Sequence, residues 1–152
     1  MREIKFRGIP IDSDKFIYGY YHYLTNSGTH CIDVPMADFS NSTLWHVKAE
    51  TVGQFTGLCD RQGKEIYEGD IIDVHPISDD SFTCRVVGKH IIKWWNGQFV
   101  FKANSKEKDD YINFGWWVRS NDNKPQLKQI EVIGNIYEEG NNGSEKAGSQ
   151  NK

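Results

Sequence analysis

Residues 51–72 read TVGQFTGLCDRQGKEIYEGDII, and the fold class can be inferred from this stretch. A short extended segment leads into the turn DRQG at residues 60–63, and a second extended segment leads into the turn EGD at residues 68–70. Asp caps its own backbone in such turns, and Gly tolerates positive φ. An apolar strand over residues 71–75 follows. Short strands joined by tight turns are typical of a small, strongly curved β barrel of SH3-like type.

The segments on either side of this stretch also have strand character. Strand-forming aromatic and β-branched residues recur over residues 15–24, 31–34, 44–47, 114–120 and 129–137. We predict a mainly β protein with an N-terminal β-rich region (1–50), an SH3-like barrel (51–137) and a flexible C-terminal tail (138–152). A β sandwich is the alternative architecture. Gly19 is predicted to be a bulge or a point of close approach, and Gly134 to interrupt the last strand.

The segment HIIKWWNGQFVFK, residues 90–102, predicts a β-hairpin. Asn96 and Gly97 form the dipeptide preferred in a two-residue type I′ turn, because both turn positions need positive φ. This turn would place Trp95 opposite Gln98 and Trp94 opposite Phe99. One face would then be apolar and buried, and the other mixed and partly exposed. We expect the buried face to contain Ile92, Trp94, Phe99 and Phe101, and the mixed face Ile91, Lys93, Trp95, Gln98, Val100 and Lys102.

Composition limits the class of protein. The 152 residues carry a formal net charge of −3 with mixed signs throughout, which argues against binding driven mainly by phosphate contacts. No apolar run approaches the roughly 20 residues of a membrane-spanning helix, and the N-terminus does not resemble a signal peptide. Three scattered cysteines indicate reduced thiols rather than a disulfide framework. We therefore expect a cytoplasmic protein.

Candidate catalytic chemistry is sparse. Cys59 precedes a turn and is a candidate nucleophile, but packing in the core is the favoured interpretation of a free cysteine. The carboxylates Glu65, Glu68, Asp70 and Asp73 are explained by turns and solvent-exposed positions rather than by metal-dependent hydrolysis. The histidines and cysteines considered as zinc ligands (His30, Cys31, His46, Cys59, His75, Cys84 and His90) lack zinc-ligand spacing. The sequence predicts no catalytic residues, no metal and no cofactor.

Aromatic and basic residues alternate on the mixed face of the hairpin and in the segment that follows. Lys93, Trp95 and Lys102 form the candidate binding surface together with Trp117 and Arg119. Exposed aromatic side chains stack on bases in proteins that bind single strands, while nearby cations track the backbone. Exposed tryptophans also mark protein interfaces, and the balanced charge favours that interpretation.

Four segments of the sequence resemble the YopX family of phage and prophage proteins. They are the opening MREIKFRG, the segment FIYGYY at residues 16–21, the stretch 51–72 and the closing VIGNIYE at residues 132–138. The resemblance implies a small phage-encoded protein with an SH3-like barrel in its second part, and it implies no catalytic residue.

The prediction is therefore a non-enzymatic accessory protein that binds another protein or assembles with itself. A nucleic-acid-binding small barrel is the alternative.

Overall fold

The structure is a computed structural model and describes residues 3–36, 41–76, 85–119 and 129–138. Most of this chain is β-strand, so the prediction of a mainly β fold is confirmed. The strands are β1 (Phe6–Gly8), β2 (Ile17–Leu24), β3 (Thr29–Pro35), β4 (Ser42–His46), β5 (Gly53–Cys59), β6 (Glu65–Tyr67), β7 (Asp70–Val74), β8 (Gly88–Ile91), β9 (Lys93–Trp95), β10 (Gln98–Lys102), β11 (Tyr111–Asn113) and β12 (Ile130–Asn135). A 3₁₀ turn (Ala49–Thr51) precedes β5, and helix α1 (Phe114–Arg119) follows β11.

The strands form three antiparallel sheets. The first has the order β4-β3-β2-β1-β5-β6, the second β11-β10-β9 and the third β12-β7-β8. Over the described ranges these sheets are open and do not close into a barrel. Short strands and tight turns predict hairpins, but barrel closure depends on which edges meet, and local turn chemistry does not specify that.

The first sheet contains strands from both sides of residue 50. β1 pairs with β2 on one edge and with β5 on the other. Gly19 lies in β2, and a Cβ atom there would collide with the carbonyl oxygen of Asp33. This confirms the predicted close approach. The division at residue 50 and the extent of the barrel region stay predictions.

The main hydrophobic core lies in the second part of the chain. Its buried members come from β6 onward and include Phe101, Phe114 and Trp117 in the centre. Strands β2, β3 and β4 contribute no side chain to this cluster, and the fully buried side chains described in them are Cys31 and Ile32. The first sheet therefore carries large side chains that the core does not cover.

The hairpin has the predicted turn and register. Trp95 pairs with Gln98 and Trp94 with Phe99, while Asn96 and Gly97 have φ angles of 49° and 78°. The preceding strand changes sheets at Ile92, because β8 pairs with β7 whereas β9 pairs with β10.

One burial prediction for the hairpin was wrong. Trp94 is 47% exposed, because it lies on an edge strand beside the turn and only one side of its ring packs edge-on against Phe99. Val100 is completely buried although it lies on the mixed face.

The predicted strand over residues 114–120 was also wrong, because Phe114–Arg119 forms helix α1. The side-chain Oδ1 of Asn113 accepts a hydrogen bond from the backbone N–H of Trp116 at 2.6 Å. An Asn that bonds to the N–H three residues later is a favoured N-cap, and it starts the helix at Phe114. The helix then places Trp117 against Phe101 and Phe114.

The last strand is interrupted as predicted. The pairing of β12 with β7 shifts between Val132 and Gly134, which is the irregularity expected at the glycine. The predicted tail begins at Glu138, and residues 139–152 lie outside the part of the chain that the structure describes.

Candidate binding surfaces

Three of the five predicted surface residues share one face of the second sheet. Lys93, Trp95 and Lys102 project from the face of β9 and β10 that also carries Val100, and all three side chains are exposed. Lys93 lies directly opposite Val100, and Lys102 lies two residues farther along β10. Neither lysine forms an ion pair with another described residue.

Tyr111 completes this face and was not part of the predicted surface. It pairs with Lys102 across the sheet, and its ring stacks on Trp95 with centroids 5.4 Å apart and an interplanar angle of 25°. Because the two rings meet over the central strand, we attribute the complete burial of Val100 to them. Trp95 is nevertheless 48% exposed, so much of the indole is open to solvent. We call Lys93, Trp95, Lys102 and Tyr111 the Trp95 face.

Polar side chains fix the edge of the Trp95 face. Asn113 Nδ2 donates a short hydrogen bond to Gln98 Oε1, which ties β11 to the start of β10. The same Asn113 caps helix α1. Sequence analysis missed Tyr111 and Asn113 because β11 has three residues and no distinctive pattern; only its pairing with β10 reveals its role.

The other two predicted surface residues do not join this face. Trp117 is 1% exposed and belongs to the hydrophobic core, because α1 turns it inward. Arg119 is the last residue of α1, and its side chain lies outside the described part of the structure. Trp116, the neighbour of Trp117, is the exposed tryptophan of the helix.

A second exposed surface lies on the first sheet. Tyr20, Asp33 and Leu44 are direct cross-strand neighbours on β2, β3 and β4, so they form one row on the same face. Tyr20 is 53% exposed and Leu44 is 46% exposed. Tyr18 continues the apolar surface from the next position of β2 on this face. We call Tyr18, Tyr20, Asp33 and Leu44 the Tyr20 row.

The carboxylate in the middle of the Tyr20 row is incompletely paired. Asp33 Oδ2 lies 3.8 Å from His22 Nε2, which is a long contact. Asp33 Oδ1 is buried and has no hydrogen-bond partner among the described residues. A buried acceptor without a partner is costly in the free protein. The Asp33 side chain as a whole keeps 25% of its surface exposed between Tyr20 and Leu44, so a molecule that covers the row would contact this residue.

A cavity of about 310 Å³ lies beside the same edge of the sheet. It is formed by residues 10–13 and by Leu44, Trp45 and His46. The backbone N–H of Ile11 donates to the carbonyl of His46 at 3.1 Å, which pairs the end of β4 with the segment after β1. Ile11 and Trp45 are also exposed, so the apolar surface continues from the row into the cavity.

The carboxylates considered for catalysis have structural partners. Asp70 is buried, and its Oδ1 lies 2.7 Å from Arg7 Nη2. Its Oδ2 accepts the backbone N–H of Tyr67 at 2.8 Å, and Asn135 Nδ2 donates to its Oδ1 at 3.2 Å. The Arg7 guanidinium lies over the ring of Tyr67, 4.8 Å from the centroid. Asp70 therefore fixes the turn that precedes β7.

Glu65 is held in a similar way. Partial burial opposes ionisation of Glu65, but hydrogen bonds from Lys5 and Tyr67 outweigh it and lower the pKa of the carboxyl group. Burial, together with the bond to Glu65, raises the pKa of Tyr67 well above its ordinary value. Lys5, the residue before β1, therefore forms an ionic contact with Glu65 of β6 at 2.8 Å.

The cysteines and histidines do not converge. Burial raises the pKa of the Cys31 thiol, which disfavours the reactive thiolate, and Cys59 is half-buried. Cys84 lies outside the described residues. Burial lowers the pKa of His90, whose ring nitrogens contact the carbonyls of Val86 and Lys102. Within the described ranges, no three His, Cys, Asp or Glu side chains are placed to hold a metal ion.

None of the helices in the described ranges is long and apolar enough to span a membrane.

Comparisons with known proteins support the family resemblance. The sequence matches the family described as YopX protein over residues 5–141. The crystal structure of protein EF1440 from Enterococcus faecalis is similar, with 19% sequence identity and a TM-score of 0.47, over 90% of this chain and 95% of that chain. No curated protein matches the chain. Because the family match spans most of the sequence, the protein belongs to the YopX family.

Proposed function

We propose that this protein is a non-enzymatic accessory protein of a phage or prophage, and that it acts in the host cytoplasm by binding another protein surface. The binding surface is the Tyr20 row. The observation that carries the proposal is the combination of exposed Tyr20 and Leu44 with the partly exposed side chain of Asp33 between them. The phage origin is taken from the family resemblance.

The chemistry of the row describes its partner. Exposed apolar side chains around a polar group are typical of protein interfaces, where tyrosine is enriched. The partner would cover Tyr20 and Leu44 with apolar side chains and donate a hydrogen bond to Asp33. Both a second copy of this chain and a different protein can present such a surface.

Most of the carboxylates considered for catalysis are bonded to structural partners, which supports a non-enzymatic role. Asp70, the most buried candidate, has both oxygens bonded to structural partners. A general base or a metal ligand needs a lone pair directed at the substrate or the metal. Asp70 is only 1% exposed, so its carboxylate is not directed at a position that a substrate can reach.

A matched pair of variants tests the surface. Tyr20→Ser removes an exposed ring from the row, whereas Tyr23→Ser removes one that is 51% exposed on the opposite face of β2. Light scattering after size exclusion measures self-association, and pull-down from host lysate measures capture of another protein. We expect Tyr20→Ser and Leu44→Glu to abolish one of these interactions and Tyr23→Ser to retain it.

Two results would overturn the proposal. One is a monomer at every concentration together with no captured protein. The other is an interaction that survives both Tyr20→Ser and Leu44→Glu, because the binding surface would then lie elsewhere. Unchanged unfolding midpoints would show that the variants act on the surface and not on folding.

A further inference from the structure

We propose that the Trp95 face binds single-stranded nucleic acid, as a function separate from the protein-binding surface on the first sheet. Small β domains that bind single strands combine exposed aromatic rings for base stacking with cations that track the phosphates. The Trp95 face has both components on one side of a three-stranded sheet.

The aromatic component is rigid. Trp95 is held by its stack on Tyr111, and Tyr111 is held in turn by the pairing of β11 with β10. An indole that is fixed on one side and open on the other loses little freedom when a base stacks on it. This arrangement favours base stacking over a general apolar contact.

The charge complementarity selects the ligand. Lys93 lies across the sheet from Val100 and Lys102 lies two residues farther along β10, and neither forms an ion pair with a described carboxylate. The carboxylate of Glu68 is engaged nearby, where its Oε1 accepts the backbone N–H of Trp94 at 3.3 Å. The acidic side chain nearest to Tyr111 in sequence, Asp110, is paired with Arg85 at 2.6 Å. The face therefore presents two positive charges without ion-pair partners beside its stacked rings, which suits a polyanion with aromatic bases.

The dimensions agree with a short single strand. Trp95 lies opposite Gln98, and Lys102 lies four residues farther along β10, so the two ends of the face are about 14 Å apart at roughly 3.4 Å per residue. Stacked nucleotides advance by about 3.4 Å each, so the face can contact about four nucleotides. Two lysines limit the number of phosphate contacts to about two, which predicts weak binding that depends on salt.

The experiment measures fluorescence anisotropy of a labelled oligothymidylate of about 16 nucleotides, a length at the upper end of known site sizes. Two phosphate contacts predict that log K falls with log salt concentration with a slope of about −1.4 for a single strand. Lys93→Gln and Lys102→Gln should each reduce the magnitude of this slope by about 0.7. Trp95→Ala should weaken binding about tenfold or more, whereas Trp95→Phe should retain most of it.

The control is Lys64→Gln, which removes the same charge from an exposed position in the turn before β6. It should change neither the affinity nor the slope. The two lysine variants make no change in the ring contacts, so they test the face even where Trp95→Ala fails to fold.

Three outcomes would overturn the proposal. They are no binding at low salt, equal binding to duplex and single strand, and loss of affinity that is the same for Lys64→Gln as for Lys93→Gln. If nucleic acid does not bind but Trp95→Ala changes the mass measured by light scattering, the face is a protein interface. None of these results depends on Tyr20 or Leu44, so this test and the test of the protein-binding surface fail independently.

Discussion

The buried ion pair of Arg7 and Asp70 is stabilised by several neighbouring residues. The Arg7 guanidinium lies between two aromatic rings, 4.4 Å from the centroid of Phe16 and 4.8 Å from that of Tyr67. Arg7 Nη2 also donates to the carbonyl of Glu68 at 3.0 Å. A charge taken out of water is tolerated only where such partners replace the solvent. The polar groups around Asp70 are therefore parts of the fold.

The Asp70→Ala variant should be strongly destabilised, because it leaves the Arg7 charge buried without its partner. We expect a loss of about 3–5 kcal/mol in the free energy of unfolding, measured with denaturant at neutral pH. Asp12→Ala, at an exposed loop position, is the control and should stay within about 0.5 kcal/mol. A loss below about 1 kcal/mol for Asp70→Ala would mean that solvent reaches Arg7.

At the scale of single elements, the hairpin turn offers a test of backbone conformation alone. Gly97 has a φ of 78°, and no atom lies within 4 Å of the position that a Cβ would occupy. A substitution there changes conformational energy without a steric collision. Gly97→Val should lower the free energy of unfolding by at least about 1–2 kcal/mol, because a β-branched residue is strained at positive φ. Gly97→Asn should be milder, because asparagine tolerates positive φ, and unfolding with denaturant measures both variants. Equal stability of the valine variant would contradict the type I′ turn.

The elements that could be predicted from sequence are those whose signal is local. The Asn96 and Gly97 pair fixes both the turn and the register of the hairpin, and both are observed. Helix α1 could not be predicted, because its start depends on a cap from Asn113, a residue that lies in a strand. The inward position of Trp117 follows from that helix. The sequence indicated that Lys93, Trp95 and Lys102 share one face. It did not indicate Tyr111, because that residue joins the face only through the pairing of β11 with β10.

At the scale of the whole molecule, the segments that carry the YopX resemblance meet in space. The opening segment provides Arg7, the tyrosine-rich segment Phe16, the central stretch Tyr67 and Asp70, and the closing segment Asn135. Arg7 and Asp70 form the buried ion pair, and Phe16, Tyr67 and Asn135 contact it. Each of the four segments thus contributes at least one residue to this structural cluster.

The uneven distribution of the core makes a prediction about local stability. The main cluster takes its side chains from β6 onward, whereas β4 lies at the edge of the first sheet and contributes none. An amide in the core exchanges only when the whole core opens, and this opening requires the global free energy of unfolding. Edge regions with few buried contacts open with a smaller free energy, so their amides exchange faster. We therefore expect amide hydrogens of β7, β10 and β12 to exchange most slowly with deuterium, and those of β4 to exchange fastest among the described strands.

Binding of a partner to the Tyr20 row should slow exchange in β4 while leaving β10 unchanged. Uniform protection of β4 and β10 in the free protein would show that the first sheet unfolds together with the core, and that its exposed row is rigid before any partner binds.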